Sequence, residues 1–109
     1  ILLGKSFNGS CPLGPHLVTL DEIGDPDELK MVLTLNGAER QNSSTAKMVY
    51  KVADLVSWWS NTTLQPGDVI TTGSPPGVIA GMRDTPYLAP GDRIDARVDK
   101  LGTLTTFIV

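Results

Sequence analysis

Apolar residues fall in short runs with two different periods. Met31, Val32, Leu33 and Leu35 lead into Asn36-Gly37, and a polar segment follows. Both turn residues tolerate positive φ, so the pair predicts a two-residue type I′ hairpin. Val52, Leu55, Val56 and Trp59 then recur at i, i+3, i+4 and i+7. That spacing predicts an amphipathic helix over residues 51–60, about three turns long, ended by Ser60-Asn61. Beyond it the chain repeats itself: Leu64-Gln65-Pro66-Gly67-Asp68-Val69-Ile70 is echoed by Leu88-Ala89-Pro90-Gly91-Asp92-Arg93-Ile94. Pro at i+1 and Gly at i+2 specify a type II turn, and each turn is expected to launch a strand. Residues 94–99 alternate apolar and charged, which predicts a strand with one buried and one wet face. Residues 100–103 turn into a last strand over 104–109. The reading is a mostly β chain with one helix, folded as a roll or sandwich.

Composition narrows the function classes. The chain has 109 residues, 40% of them hydrophobic, which bounds it to one domain with a modest core. A net charge of −3 with no basic stripe argues against nucleic acid. The apolar runs are too short for a membrane span. Cys11 is the single cysteine, which excludes an internal disulfide and suits a reducing, cytoplasmic setting. The sequons at Asn42 and Asn61 are read as chance. Ile1 opens the chain without a methionine and residues 107–109 end it in strand character, so part of a longer protein is expected.

Two polar loops stand out. "GKSFNGSCPLGP", residues 4–15, sets Lys5 in a glycine- and proline-rich loop, where a lysine can present a point charge to a carboxylate. A loop rather than a helix follows Gly4-Lys5-Ser6, so a phosphate-cradling reading fails its structural context. "LQPGDVITTGSPPGV", residues 64–78, holds the hydroxyl-rich tip Thr71, Thr72, Gly73, Ser74 between two rigid turns. Residues 21–28, "DEIGDPDE", gather five of the twelve acids, but their spacing is not that of a calcium loop, and a solvated turn is expected. His16, the single histidine, has no ligand-spaced neighbours and reads as structural; Cys11 reads as a small buried residue. Trp59 belongs to the helix's core stripe, and Trp58 to an edge or interface. No self-contained catalytic set is present.

These loops, with the segments between them, resemble the C-terminal part of the fumarylacetoacetate hydrolase family. Gly4-Lys5-Ser6-Phe7-Asn8-Gly9 and Pro12-Leu13-Gly14-Pro15 meet two of its patterns. Asn36, Gly37 and Gln41 meet N-G-x-x-x-Q, residues 66–78 meet P-G-D-V-I-x-T-G-[TS]-P-x-G-V, and residues 88–92 meet L-x-P-G-D. The resemblance implies a mostly β (α+β) fold, a mixed β-sandwich roll with one amphipathic helix, incomplete here. Residues 1–109 would be the C-terminal portion of a catalytic domain. It implies Mg²⁺ (or Mn²⁺ or Ca²⁺) in the complete protein and a 2-oxo or diketo acid that is hydrolysed, decarboxylated or isomerised. By matching position, Lys5 would contact the substrate's carboxylate or oxo oxygen. Ser74, with the backbone of Gly73, would donate to the same anionic end.

This chain departs from the pattern at Ser74, where threonine is usual, at Ile79-Ala80-Gly81, where another glycine often follows Val78, and at His16, often a tryptophan. The family's metal ligands and acid/base residues precede the Gly-Lys-Ser motif, so no catalytic residue or metal ligand is expected within these residues. Similar proteins generally pair, and Trp58 offers a homodimer contact. The alternative is a non-catalytic β-roll that binds a small anion or a partner.

Overall fold

The computed structural model describes residues 6–79, 82–83 and 85–109 of the chain. Four antiparallel strands form one sheet in the order β2-β1-β3-β4: β1 Lys30–Leu35, β2 Ala38–Ser44, β3 Arg93–Val98 and β4 Gly102–Phe107. With two short helices, α1 Leu20–Ile23 and α2 Val52–Trp59, this is a mostly antiparallel sheet with few helices. The predicted hairpin forms. Leu35 pairs with Ala38, and Asn36 and Gly37 carry φ of 50° and 81°, which matches the right-handed twist of the flanking strands.

The repeated Pro-Gly-Asp corners form as predicted, one near each end of the loop that leads from α2 to β3. Asp68 N–H donates to the Gln65 carbonyl at 3.0 Å, and Asp92 N–H donates to that of Ala89 at 3.0 Å. In each corner the aspartate carboxylate also accepts from the first residue's amide, Gln65 at 2.8 Å and Ala89 at 2.9 Å. The second corner enters β3. The first enters no strand among the described residues, contrary to expectation: a strand needs a neighbour to exchange backbone hydrogen bonds, and no such ladder forms along residues 69–72.

Period-2 alternation divides the sheet. Met31, Leu33, Leu35, Ile94, Ala96, Val98 and Leu104 share one face; Arg93, Asp95, Arg97, Thr103 and Thr105 share the other. On the polar face the Thr105 hydroxyl donates to Asp95 at 2.6 Å, and Arg93 pairs with the same carboxylate at 2.9 Å. The Thr105 hydroxyl and then Arg93 hold the Asp95 carboxyl below the ordinary range.

The acidic segment does more than face solvent. Asp25 accepts from the Asp27 amide at 2.8 Å and caps a 3₁₀ turn, Pro26–Glu28. Asp27, partly covered, reaches the amide of Val52 at 3.1 Å and puts a carboxylate at the positive end of α2. Asp54 accepts from the Lys51 amide at 2.9 Å at the same end. At the other end Ser60, Asn61 and Thr62 side chains donate to the carbonyls of Val56, Trp58 and Trp59, so the predicted stop lies where the last carbonyls are satisfied.

The core is open. Leu29 is the one buried hydrophobic residue among the described residues, at 7% exposure. The α2 stripe is half uncovered: Val52 and Leu55 are partly buried, while Val56 and Trp59 are exposed, Trp59 at 46% against an expected core position. Cys11, expected inside, is exposed, because no described residue packs over its loop and residues 12–17 are exposed with it. The radius of gyration is 15.2 Å, where about 13 Å is expected for a compact chain of this length.

Two outcomes follow for the whole protein. Asp27→Ala is expected to lower stability by about 1 kcal/mol in chemical denaturation, the usual cost of a lost helix cap. The Asp92 carboxyl is depressed by the Ala89 amide and then the Asn36 side chain. Its contribution is therefore present at neutral pH and is lost as pH falls below about 4, through the lowered folded value. Asp92→Ala is expected to flatten that acid limb, and an unchanged limb in pH-dependent melting contradicts the assignment.

Candidate functional site

The hydroxyl-rich tip of residues 64–78 is held from both sides. Upstream, the Gln65–Asp68 corner fixes its start, with Gly67 at φ +99°. Downstream, the Gln41 side-chain amide donates to the Pro75 carbonyl at 3.0 Å. Gly77 follows at φ +108°, so close to β2 that a side chain there would overlap the Arg40 carbonyl oxygen and stand 2.9 Å from Gln41 Cγ. Between these points Gly73 adopts φ +96°, and nothing lies within 4 Å of where its Cβ would be. Ser74 is exposed.

Thr72, Gly73 and Ser74 line one side of a cleft of about 440 Å³, within the usual range for small-molecule sites. Met31 and Ser43 from the β1–β2 hairpin line it as well, with Lys47 and Tyr50 from the segment before α2. Lys47 is the one charged lining residue among the described residues. Hydroxyls, a positive-φ glycine amide and an ammonium suit an anionic ligand end.

Of the residues singled out from sequence, Gly73 and Ser74 meet in this cleft. Lys5 lies outside the described residues. Pro15 and His16 lie by β4, where a side chain at Gly102 would meet Pro15 at 3.4 Å and His16 at 3.8 Å; the Gly14–Pro15 peptide is cis. Sequence reasoning passed over Lys47 and Tyr50 because neither stands in a motif. Gln41 was visible as the end of N-G-x-x-x-Q, but nothing in that spacing tells where its amide points.

A divalent metal does not fit the described residues. Hard cations want several convergent oxygens, usually carboxylates, and no three His, Cys, Asp or Glu side chains come together among these residues. Nor is any helix among them long and apolar enough to cross a membrane.

Comparison with known proteins shows the family of the chain. The profile described as fumarylacetoacetate (FAA) hydrolase C-terminal matches residues 1–109. An uncharacterized protein of Staphylococcus haemolyticus is 43% identical over 107 residues, 97% of this chain and 36% of that protein. The chain thus spans about a third of the length of the curated relatives it matches. Among solved structures, fumarylacetoacetate hydrolase from psychrophilic Exiguobacterium antarcticum superposes with a TM-score of 0.92 at 40% identity, covering 97% of this chain and 38% of that one. Fumarylpyruvate hydrolase from Pseudomonas aeruginosa, solved in complex with Mn²⁺ and pyruvate, gives a TM-score of 0.71 at 31% identity over 83% of this chain and 36% of that one.

The loop geometry ranks two substitutions. Gly73→Val forces a β-branched residue to φ +96°, a strain of roughly 1–3 kcal/mol at the tip itself. Ser74→Thr keeps the hydroxyl. In the whole protein Gly73→Val is expected to lower kcat/KM by more than about tenfold and Ser74→Thr to leave it nearly unchanged. Equal damage from both in steady-state kinetics contradicts an open, ligand-facing tip.

Proposed function

Because the chain belongs to the fumarylacetoacetate hydrolase family, we propose that it is the C-terminal portion of a catalytic domain that hydrolyses a C–C bond of a 2-oxo or diketo acid. The observation that carries this reading is the cleft itself. Gly73 and Ser74 line it at the tip of a doubly anchored loop, and nothing lies within 4 Å of where a Gly73 side chain would begin. An acylpyruvate suits such a site. It carries a carboxylate and an adjacent oxo group, and cleavage by water yields a carboxylic acid and the enolate of pyruvate, which then takes up a proton at carbon. Donors placed at the oxo and carboxylate oxygens stabilise the charge that develops there, and do so without reorganising if they are fixed beforehand. The Gly73 amide, the Ser74 hydroxyl and Lys5 are assigned to that end of the substrate.

Two relatives support the substrate class: one is named a fumarylacetoacetate hydrolase and the other a fumarylpyruvate hydrolase holding pyruvate and Mn²⁺. In this reading a divalent cation (Mg²⁺, or Mn²⁺ or Ca²⁺) and the acid/base groups are supplied by residues outside this chain, and no step is assigned to the cation here. The whole protein is read as a cytoplasmic homodimer. Trp58, 72% exposed on α2, is assigned to its interface, since burying such a side chain is worth roughly 2–3 kcal/mol.

The test is hydrolysis of a panel of acylpyruvates by the whole protein. Turnover that is lost on chelation and restored by Mn²⁺ or Mg²⁺ is expected. Lys5→Met is expected to cost more than about tenfold in kcat/KM with stability retained, since one charge-assisted contact is removed while the stem is kept. No turnover of any panel member, with an anion still bound by the Ser74 loop, favours a non-catalytic binding module instead. Wild-type kcat/KM in Lys5→Met overturns the role given to that lysine.

A further inference from the structure

We propose that Gln41 is a positioning residue: its side-chain amide sets where Ser74 stands by clamping the residue that follows it to a bulge in β2. This rests on the reading of the Ser74 loop as the substrate-binding loop.

The clamp starts in the register of the hairpin. Leu33 pairs with Gln41, but the next residue of β1, Thr34, pairs with Glu39, so Arg40 is an extra residue in β2. A bulge of this kind bends the strand and re-aims the neighbouring side chains. Gln41 is partly buried beside it, and its Nε2 donates to the Pro75 carbonyl across 34 residues of sequence. The chemistry leaves no choice of orientation, because a carbonyl only accepts and the amide nitrogen must face it.

The loop also depends on help from outside itself. Pro75 and Pro76 carry no backbone N–H, so the segment just after Ser74 has two fewer donors with which to fix its own conformation. Its second anchor is steric rather than polar. Gly77, at φ +108°, lies against the Arg40 carbonyl where no other residue fits. Gln41 and Gly77 thus grip the loop on either side of Pro76, and both grips fall on the bulge. On one side of the grip is the cleft lined by Gly73 and Ser74; on the other is an apolar cleft of about 480 Å³ lined by Leu33, Ile94 and Val78. The β2 bulge therefore transmits the position of the sheet to the hydroxyl of Ser74.

The test uses the whole protein and pyruvate as the probe. Gln41→Leu removes the donor at similar size. It is expected to raise the backbone mobility of Thr72, Gly73 and Ser74 in NMR relaxation while β1 and β3 stay rigid, and to weaken pyruvate binding by about tenfold or more. Gln41→Glu is the sharper variant. At neutral pH its carboxylate faces the Pro75 carbonyl and cannot donate, so binding is weak. As pH falls the carboxyl protonates and regains the hydrogen bond, and the ratio of its affinity to that of the wild type climbs toward one. Gln41→Leu shows no such recovery. Unchanged loop mobility in Gln41→Leu, or a Gln41→Glu affinity that is below the wild type's and stays below it as pH falls, overturns the clamp. A loosened loop with unaltered pyruvate affinity in both Gln41→Leu and Ser74→Ala supports the clamp as structure and overturns the binding role of the loop. Where Gln41→Leu fails to fold, the pH series on Gln41→Glu decides alone.

Discussion

Strand β1 is hydrogen-bonded along both edges, and Asn36 ties off the point where it ends. Its backbone amide donates to the Arg93 carbonyl at 2.8 Å, its side-chain oxygen accepts from the Arg93 amide at 2.9 Å, and its side-chain nitrogen donates to Asp92 at 2.8 Å. One residue thereby joins the hairpin turn, the second Pro-Gly-Asp corner and the entry to β3. The register of β1 against β3 follows from that knot, because Leu35 opposite Ile94 is the first pair beyond it. With the register set, the apolar side chains of three strands share a face, and a slip of one residue would send each to the wrong side. The loop carrying Ser74 lies against β2, the other arm of the same hairpin, so its placement inherits that register.

The two faces of the sheet have different tasks. The polar face is internally satisfied: Asp95 is shared between Thr105 and Arg93, and no buried polar side-chain atom among the described residues lacks a partner. The apolar face and the α2 stripe are underfilled, with Leu29 alone fully covered. The chain spans about a third of the length of its curated relatives and leaves Val56, Trp58 and Trp59 exposed on α2.

Much of this was legible in the sequence where a residue type dictates its own backbone. Asn36-Gly37, the two Pro-Gly-Asp corners and the i, i+3, i+4, i+7 stripe each specify a local conformation, and each appears at its place. Residues 69–72 were misread because strand propensity is local while a strand requires a partner. Cys11 and Trp59 were misplaced because burial belongs to what packs over a residue. Asp27 reads as a solvated acid but caps α2, since no pattern in residues 21–28 announces a helix start at Val52. The motif points to Gly73 and Ser74 as a candidate tip, but not to the amide that holds it, because the hydrogen bond from Gln41 to Pro75 crosses a fold that the spacing alone does not reveal.

The central claim is that the Ser74 loop is a preset anion-binding tip. A crystal structure of the whole protein with Mn²⁺ and pyruvate tests it most directly. The account predicts the pyruvate carboxylate or oxo oxygen at about 2.7–3.1 Å from both the Ser74 hydroxyl and the Gly73 amide, with Lys5 at the same end and the loop still joined to Gln41. Pyruvate bound away from this loop, or a loop that leaves β2 to reach it, contradicts the account.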